Sequence, residues 1–131
     1  MKICVTATAN SIDAQIDPRF GRCSYLVIVD SETMQFEAIP NMAADASGGA
    51  GIQAAQTIAS KGVKLVITGN VGPKAFQALS AAGIEVVTGT FGAVREAVEM
   101  FKKGALRKTD APSVGGHFGM GGKGGRGVWR P

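Results

Sequence analysis

The stretch that decides the fold is residues 65–73, Leu-Val-Ile-Thr-Gly-Asn-Val-Gly-Pro, an apolar run that passes through a glycine-containing turn into a proline. A short run of aliphatic and β-branched residues such as 65–68 is typical of a strand that is buried on both faces. Pro73 stands where proline is favoured, at the first position of a helix. Apolar residues at helical spacing follow it, and Gly83 sits where a left-handed helix C-terminus belongs. The stretch therefore predicts a strand followed by a crossover helix, the repeating unit of a parallel sheet.

The same pattern repeats on both sides of this unit. Before it, the Gly-rich residues 47–51 lead into apolar residues at helical spacing. After it, residues 84–88 form a strand-like run that precedes a last helix from about Phe91 to Lys103. The N-terminal part of the chain holds three further strand-like runs, at about residues 3–7, 25–29 and 35–39.

The predicted element order is therefore β-β-β-α-β-α-β-α. A turn at residues 30–33 makes strands two and three antiparallel neighbours, and right-handed crossovers make the later strands parallel. The most economical sheet has the order 3-2-1-4-5, with strand two antiparallel to the rest. We expect an α/β fold in three layers, with a five-stranded mixed sheet and three helices, of ribonuclease H-like topology. Residues 1–104 form this domain, and residues 105–131 form a Gly-rich, basic and flexible tail.

In this topology five loop segments meet at one edge of the sheet, because strands one, three, four and five end there and strand two begins there. The segments are residues 9–11, 19–23, 47–51, 69–73 and 89–90. Helix N-termini at such an edge point unpaired N–H groups and positive dipole ends toward a ligand. Arg19 and Arg22 add positive charge, and Cys23 adds a thiol whose pKa we expect this charge to lower. The edge therefore predicts a site for a fairly large anion.

Each of these features also has a purely structural interpretation. The Gly-rich residues 47–51 allow a tight strand-to-helix passage, and they do not form a Walker loop because no Gly-Lys-Ser/Thr sequence follows them. Arg19 and Arg22 could be ordinary surface residues. In the tail, His117 and Met120 could bind a soft metal or form no site at all. The residues alone leave these alternatives open.

Charge is distributed unevenly along the chain. Residues 1–101 hold 7 Lys and Arg against 9 Asp and Glu, whereas residues 102–131 hold 7 Lys and Arg against Asp110 alone. The net charge of +4 therefore belongs to the tail rather than to the domain. No apolar run approaches the roughly 20 residues that span a bilayer, and residues 1–5 begin a strand instead of a signal peptide. Two cysteines without a CxxC pair fit a reducing compartment. We expect a cytoplasmic protein with no membrane partner.

Three motifs resemble one known family, in the same order along the chain. They are Asp-Pro-Arg-Phe-Gly-Arg at residues 17–22, Ala-Ser-Gly-Gly-Ala-Gly-Ile-Gln-Ala-Ala at 46–55, and Val-Ile-Thr-Gly-Asn-Val-Gly-Pro-Lys-Ala-Phe at 66–76. The chain resembles the dinitrogenase iron–molybdenum cofactor biosynthesis family, which includes NifX and NifB C-terminal-like domains and small proteins related to the orange protein. The resemblance covers about residues 1–104. It implies a ribonuclease H-like fold and non-covalent binding of an anionic metal–sulfur cluster that contains iron, molybdenum or copper.

The resemblance implies ligand contacts on three of the predicted edge loops. Together with the edge itself, it gives a predicted binding set of Asn10, Arg19, Phe20, Gly21, Arg22, Ser47, Gly48, Gly49, Ala50, Gly51, Gly69, Asn70 and Gly72. Many relatives have His before the Phe-Gly of the first motif, where this chain has Arg19. A metal would then be held through charge and backbone amides, or by Cys23 or His117 as metal ligands.

The leading hypothesis is a carrier or scaffold for a metal–sulfur cluster, with no enzymatic turnover, that exchanges its cluster with a donor or acceptor protein. A nuclease would need carboxylates clustered on adjacent strands to hold two metal ions, and residues 3–7 and 65–68 carry none. The alternative is a module that binds phosphate, a nucleotide or nucleic acid through the same edge and the basic tail. The charges of the tail are sparse, so we do not expect a nucleic-acid partner, and we expect a monomer.

Overall fold

The computed structural model describes residues 1–44 and 49–113. These residues form five strands and three helices in the predicted order. The strands are β1 Lys2–Ala7, β2 Tyr25–Asp30, β3 Phe36–Pro40, β4 Leu65–Ile67 and β5 Glu85–Val87. The helices are α1 Ala50–Ser60, α2 Pro73–Ala81 and α3 Val94–Lys102. In these described ranges, no helix has the length and apolar character needed to cross a membrane.

The five strands form one mixed sheet in the order β3-β2-β1-β4-β5. β2 is antiparallel to both of its neighbours, whereas β1, β4 and β5 run parallel to one another. The register pairs Cys4 with Ile28 on one side and with Val66 on the other. The predicted strand order and the reversed direction of strand two are therefore confirmed. The more specific name, a ribonuclease H-like fold, stays a prediction.

Side chains of the sheet alternate between two apolar layers, as the pleat of a strand requires. Cys4 of β1 belongs to a cluster that contains Ile58 of α1 and Leu79 of α2. Its neighbour Val5 belongs to a second cluster that contains Val98 of α3. Helices α1 and α2 thus cover one face of the sheet and α3 covers the other, which gives the three predicted layers.

The last helix begins later than the sequence pattern predicts. It starts at Val94, whereas the apolar spacing placed its start at about Phe91. Gly92 has a φ of 100°, a left-handed conformation that a continuous helix cannot contain. The Glu96 carboxylate accepts a hydrogen bond of 3.2 Å from the Ala93 N–H and so satisfies a backbone donor at the true helix start. Phe91 consequently lies outside the helix and is 89% exposed.

Residues 105–113, here named the strap, cross the outer edge of β5. The Thr109 N–H donates to the Val86 carbonyl at 2.6 Å, and the Thr88 N–H donates to Thr109 Oγ1 at 3.1 Å. β5 is the last strand of the sheet, and its outer backbone groups need such partners. The prediction of a flexible tail from residue 105 is therefore corrected for the strap, which is fixed to the domain. Residues 114–131 lie outside the described residues.

Candidate functional site

Two loops are joined by a short backbone pairing beside the carboxyl end of β4. The Phe20 N–H donates to the Asn70 carbonyl at 3.1 Å, and the Asn70 N–H donates to the Pro18 carbonyl at 2.7 Å. Arg19 and Asn70 are thereby partners in a parallel bridge. The first loop leads into β2 and the second loop leaves β4. The predicted meeting of these two segments at one edge of the sheet is confirmed.

Glycines allow these loops to approach the helices closely. A Cβ on Gly69 would lie 2.7 Å from Pro18 Cα, and a Cβ on Gly21 would lie 2.8 Å from Gly51 Cα. Gly21 also has a φ of 95°, a left-handed conformation that favours glycine. A Cβ on Gly51 would in turn lie 2.7 Å from the Cβ of Ala75. The two loops and the starts of α1 and α2 therefore form one packed unit.

An open groove of about 440 Å³ lies next to this packed unit. Its volume is in the range of sites that bind small molecules. The groove is lined by Phe20, Arg22, Gly49, Ala50, Gly51, Ile52, Gly72, Pro73, Lys74 and Ala75. Two of these lining residues are charged, Arg22 and Lys74, and both are cationic. Most of the remaining lining is apolar or glycine, so positive charge and backbone groups supply its polar character.

The two helices that begin at the groove, α1 and α2, have no side-chain cap within the described residues. α1 begins after Gly49 and α2 begins after Gly72, and neither glycine can cap its helix. The first N–H groups of a helix have no carbonyl partner inside the helix. Among residues 1–44 and 49–113, the N–H groups of residues 50–52 of α1 and 74–75 of α2 therefore find no hydrogen-bond acceptor. Neither first turn holds an acidic side chain, whereas that of α3 holds Glu96. The positive ends of two helix dipoles meet at this groove.

Arg22 is tied to the loop that follows β3. Its Nη1 donates to the Ala44 carbonyl at 2.8 Å. The buried Asn41 side chain donates from Nδ2 to the Gly21 carbonyl at 2.9 Å and to the Cys23 carbonyl at 3.0 Å. These bonds hold both the backbone turn and one end of the guanidinium. Arg22 is therefore a positioned cation on the groove wall.

Arg19 pairs with a buried carboxylate instead of facing the groove. Asp17 is 3% exposed, and it accepts hydrogen bonds from the Arg19 backbone N–H at 3.1 Å, from Nε at 3.2 Å and from Nη2 at 3.3 Å. Asp17 raises the pKa of the Arg19 guanidinium, first through these hydrogen bonds and then through its charge. The Arg19 side chain does not line the groove. Its contacts fix the shape of the loop that carries Phe20.

Cys23 lies in the apolar core next to the Arg22 turn. It is fully buried, and its thiol accepts a weak hydrogen bond from Asn41 Nδ2 at 3.7 Å. Burial, followed by the charge of Asp17, raises the pKa of the thiol to about 12. The predicted lowering of this pKa is wrong, because the loss of water disfavours the thiolate more than the nearby donors favour it. Among residues 1–44 and 49–113, no group of three His, Cys, Asp or Glu side chains could hold a metal ion.

Comparison with known proteins shows the family of this chain. Residues 1–104 match the family model described as dinitrogenase iron-molybdenum cofactor. The chain belongs to this family. It is similar to the apo form of the orange protein from Desulfovibrio gigas, with 46% identity and a TM-score of 0.83 over 86% of this chain and 95% of the other. It is also 33% identical, over 111 residues, to an uncharacterized protein of Methanocaldococcus jannaschii, which covers 82% of this chain and 91% of the relative. The predicted family membership is confirmed.

Six of the predicted site residues line the groove of this family member. They are Phe20, Arg22, Gly49, Ala50, Gly51 and Gly72. Four others belong to the adjacent loop pairing and packed unit: Arg19, Gly21, Gly69 and Asn70. Three more, Ser47, Gly48 and His117, lie outside the described residues, and their roles stay predictions.

Asn10 lies in a loop that is anchored to α3. The Val94 N–H donates to the Ala14 carbonyl at 2.9 Å, and the Arg95 N–H donates to the Ile12 carbonyl at 2.8 Å. Ile12 and Ala14 pack in the apolar cluster on the α3 face of the sheet, whereas the groove is lined by α1 and α2. Asn10 itself is exposed and does not line the groove. Its binding role stays a prediction that this arrangement does not support.

Four lining residues are absent from the predicted set: Ile52, Pro73, Lys74 and Ala75. Lys74 matters most because it is the second cation of the groove. Its position in the first turn of α2, directly after the Gly-rich turn, is the feature of the sequence that indicates its location. Side chains in the first turn of a helix stand at the same edge of the sheet as the loop that precedes it.

Proposed function

We propose that this protein binds an anionic metal–sulfur cluster non-covalently in the groove and carries it as cargo. The proposal depends on one observation. Two helix N-termini without side-chain caps converge with Arg22 and Lys74 on a groove whose described lining has no acidic side chain. Unpaired N–H groups at helix N-termini favour anions, and cationic side chains strengthen their binding. Membership of the iron–molybdenum cofactor family supports a metal–sulfur cluster as the anion.

The apolar part of the lining favours sulfide over more strongly hydrated anions. Phe20, Ile52 and Pro73 contribute apolar surface to the groove. Sulfide ligands are large and polarizable, and they accept only weak hydrogen bonds, so contact with apolar side chains costs them little hydration. A groove that combines apolar walls with a few fixed polar groups is typical of sites that bind a defined small ligand.

The proposed role is that of a carrier or scaffold, without turnover. The lining in the described part of the chain contains no carboxylate, imidazole, hydroxyl or thiol, which are the groups that most often act as acids, bases or nucleophiles. Binding and release require only charge, N–H donors and shape. A second protein would then supply or receive the cluster.

Phosphate is a second candidate ligand, because helix N-termini bind phosphate groups for the same physical reason. The two candidates differ in hydration and in softness. Competition between a sulfide anion and inorganic phosphate or ATP therefore separates a sulfide carrier from a phosphate-binding module.

Anaerobic titration with tetrathiomolybdate tests the proposal, because this dianion is a soluble metal sulfide that absorbs visible light. We expect saturable binding to the full chain, and a dissociation constant about tenfold higher for Arg22→Gln/Lys74→Gln, equivalent to about 1.4 kcal/mol. Lys61→Gln/Lys64→Gln is the matched control, since it removes the same charge between the end of α1 and the start of β4, away from the groove.

Three results would contradict the proposal. One is the absence of saturable binding by the wild-type protein. Another is equal weakening in the control variant, which would indicate attraction by net charge alone. The third is displacement of the dianion by an equal concentration of phosphate or ATP, which would favour the phosphate-binding module.

A further inference from the structure

Two large apolar side chains stand almost fully in solvent at the sheet edge that carries the groove. Met42 is 90% exposed and Phe91 is 89% exposed, whereas every other large apolar side chain of the described residues is less than half exposed. Met42 follows β3 and Phe91 follows β5, and both strands end at this edge because they run in the direction of β1. Aromatic side chains and methionine are enriched at protein interfaces.

Both side chains belong to loops that are fixed to segments bordering the groove. Next to Met42, the Asn41 side chain donates to the Gly21 carbonyl at 2.9 Å. On the other side, the Gly89 N–H donates to the Gly69 carbonyl at 2.8 Å. Met42 and Phe91 therefore flank the groove, one toward each outer strand of the sheet.

One partner protein is large enough to cover both side chains. β3 and β5 are the outer strands of the five-stranded sheet. Four strand spacings of about 4.8 Å separate them, which is about 19 Å in all. A standard protein interface buries about 800 Å² on each partner, a patch about 30 Å across. A single protein on this edge would therefore contact Met42 and Phe91 and cover the groove between them.

Phe91 also borders a second recess, here named the cleft, which has a volume of about 270 Å³. It lies between the loop after β5, the end of α3 and the strap, and Met100 and Leu106 add to its apolar walls. Its one charged lining residue in the described part of the chain is Arg107. Apolar side chains that fill such recesses supply much of the binding energy of protein interfaces.

The strap fixes the wall of the cleft that Leu106 and Arg107 form. Thr109 is bonded to β5, and the far end of the strap is held by a reciprocal pair of bonds. The Ser113 N–H donates to the Val71 carbonyl at 3.0 Å, and the Val71 N–H donates to Ser113 Oγ at 2.7 Å. The wall is therefore formed before any partner arrives, which lowers the entropic cost of docking.

The described residues at this edge leave positive charge in excess. Arg22, Lys74 and Arg107 carry it, and Arg107 forms no ion pair within residues 1–44 and 49–113. The carboxylates of the neighbouring loops and of the α3 start are each held by an arginine or a backbone N–H; they are Asp13, Asp17 and Glu96. The edge therefore attracts a partner that presents acidic groups.

Two other occupants fit this edge less well. A second copy of the chain would present the same cationic edge in a symmetric dimer, and each copy carries a net charge of +4. A lipid surface favours apolar side chains on one continuous face, whereas the groove with its cations separates Met42 from Phe91. An acidic protein can place carboxylates opposite the cations and an apolar side chain in the cleft.

We infer that this edge is the docking surface for an acidic partner protein, which places an apolar side chain in the cleft and covers the groove. The inference rests on the proposed function, because a covered groove matters when cargo passes between two proteins. The docked partner excludes water from the cargo during transfer. The partner prefers the empty groove, since a bound dianion balances the charges of Arg22 and Lys74 that attract it.

A nuclear magnetic resonance titration of the full, nitrogen-15-labelled chain tests the inference. The probe is the synthetic peptide Glu-Asp-Glu-Leu-Phe-Leu-Glu-Asp-Glu. We expect saturable shifts of the amide signals of residues 42–44, 89–91 and 105–107, with a dissociation constant below about 1 mM. Two control peptides, one with Lys for every acidic residue and one with Ser for every apolar residue, should bind at least about fivefold more weakly.

Variants of the chain supply the second measurement. Phe91→Ser should raise the dissociation constant of the acidic peptide at least about fivefold, and Arg107→Gln about threefold. Phe36→Ser is the matched control, because Phe36 is 43% exposed at the start of β3, at the opposite edge of the sheet. It should change this constant less than about twofold. Saturating tetrathiomolybdate should raise the constant about threefold in the wild-type protein.

Binding of tetrathiomolybdate to Phe91→Ser separates this inference from the proposed function. It should change less than about twofold, because Phe91 does not line the groove. Equal peptide binding by Phe91→Ser and Phe36→Ser, or shifts confined to residues 114–131, would overturn the docking surface and leave the proposed function standing. Saturable peptide binding without any binding of the dianion would overturn the proposed function and the transfer role of this edge with it.

Two further results would assign the edge to another occupant and overturn the inference. One is co-sedimentation of the protein with vesicles of phosphatidylcholine and phosphatidylserine that is lost in Phe91→Ser, which would indicate a membrane surface. The other is dimerisation in analytical ultracentrifugation that Phe91→Ser abolishes, which would indicate a second copy of the chain.

Discussion

Gly51 and Ala75 meet where α1 and α2 approach each other, and a Cβ added to Gly51 would lie 2.7 Å from the Cβ of Ala75. Both residues line the groove. The contact that sets the spacing of the two helices therefore also brings their N-termini to one site. The glycine is required here by space and not by conformation, because its φ is not in the left-handed region.

Substitution of Gly51 by alanine separates the effect of packing on stability from the effect of helix propensity. We expect Gly51→Ala to lower the free energy of unfolding by about 1–3 kcal/mol, the usual cost of overpacking. This loss should appear although alanine favours a helix by about 1 kcal/mol over glycine. Urea denaturation followed by circular dichroism measures the change. We also expect Gly51→Ala to bind tetrathiomolybdate more weakly, because both contacting residues line the groove. Gly51→Ala/Ala75→Gly, which returns the missing space, should recover most of that affinity. A single variant as stable as the wild type would contradict the close-contact interpretation.

The strands of the sheet and their order are predictable from the sequence because the features that indicate each strand and helix are local. The aliphatic run 65–67, the turn glycines and Pro73 each favour the structure that they adopt. Right-handed crossovers then leave few sheets to choose from, and the order β3-β2-β1-β4-β5 follows. The position of the strap could not be predicted in this way. Its hydrogen bonds to β5 and Val71 join residues that are distant in the sequence, and residues 105–113 show no periodicity that would indicate these bonds.

The candidate site is only partly predictable, because side-chain direction depends on tertiary contacts. Arg19 and Arg22 occupy the same loop and look equivalent in the sequence, yet a buried Asp17 pairs with Arg19 and leaves Arg22 on the groove. Cys23 stands at the start of a strand, beside charged residues, and nothing local reveals that the core encloses it. Such distinctions require knowledge of which residues become buried.

Substitution of Asp17 tests how much its buried carboxylate, which holds Arg19, contributes to stability. Its carboxylate accepts three hydrogen bonds from Arg19, one from the backbone and two from the guanidinium. We expect Asp17→Asn to lower the free energy of unfolding by about 1–3 kcal/mol, because the buried amide cannot replace these charged acceptors. Asp13→Asn is the control, since Asp13 also pairs with an arginine, Arg95 at 2.8 Å, but on the surface. An equal loss in both variants would show that burial of Asp17 is not the cause.

Cys23 makes stability depend on pH in the alkaline range. Its pKa rises from an ordinary 9.0 to about 12 in the folded protein. A raised pKa means that the folded state holds the proton more tightly, so the contribution is complete below about pH 9 and is lost between pH 9 and 12. We expect the free energy of unfolding to fall by about 1–2 kcal/mol more in wild type than in Cys23→Ala between pH 8 and pH 10.5. Urea titrations at both pH values measure this difference.

The comparison tests how the free energy of unfolding changes with pH and not its absolute value, because Cys23→Ala also leaves a cavity. Cys4 is retained in both proteins, and burial raises the pKa of its thiol as well. Burial is the larger cause of this rise and the charge of Cys23 the smaller one, so most of the Cys4 contribution to the pH dependence cancels in the difference. The same slope in both proteins would mean that the Cys23 thiol is accessible to water, contrary to its full burial.

The two arginines of the loop that leads into β2 should contribute unequally to anion binding. Arg22 lines the groove, whereas the Arg19 side chain is held by Asp17 and does not line it. We expect Arg22→Gln to raise the dissociation constant for tetrathiomolybdate about three- to fivefold, and Arg19→Gln to raise it less than twofold. The dissociation constant of Arg22→Lys should lie between those of wild type and Arg22→Gln, because lysine retains the charge and loses the fixed geometry of the guanidinium.

Salt at about 0.5 M should reduce the effect of Arg22→Gln on the dissociation constant, since the groove is open to solvent and salt screens its charges. If Arg19→Gln weakened binding as much as Arg22→Gln, the charge of Arg19 would reach the anion despite its ion pair, and the assignment of Arg19 to a purely positioning role would be wrong.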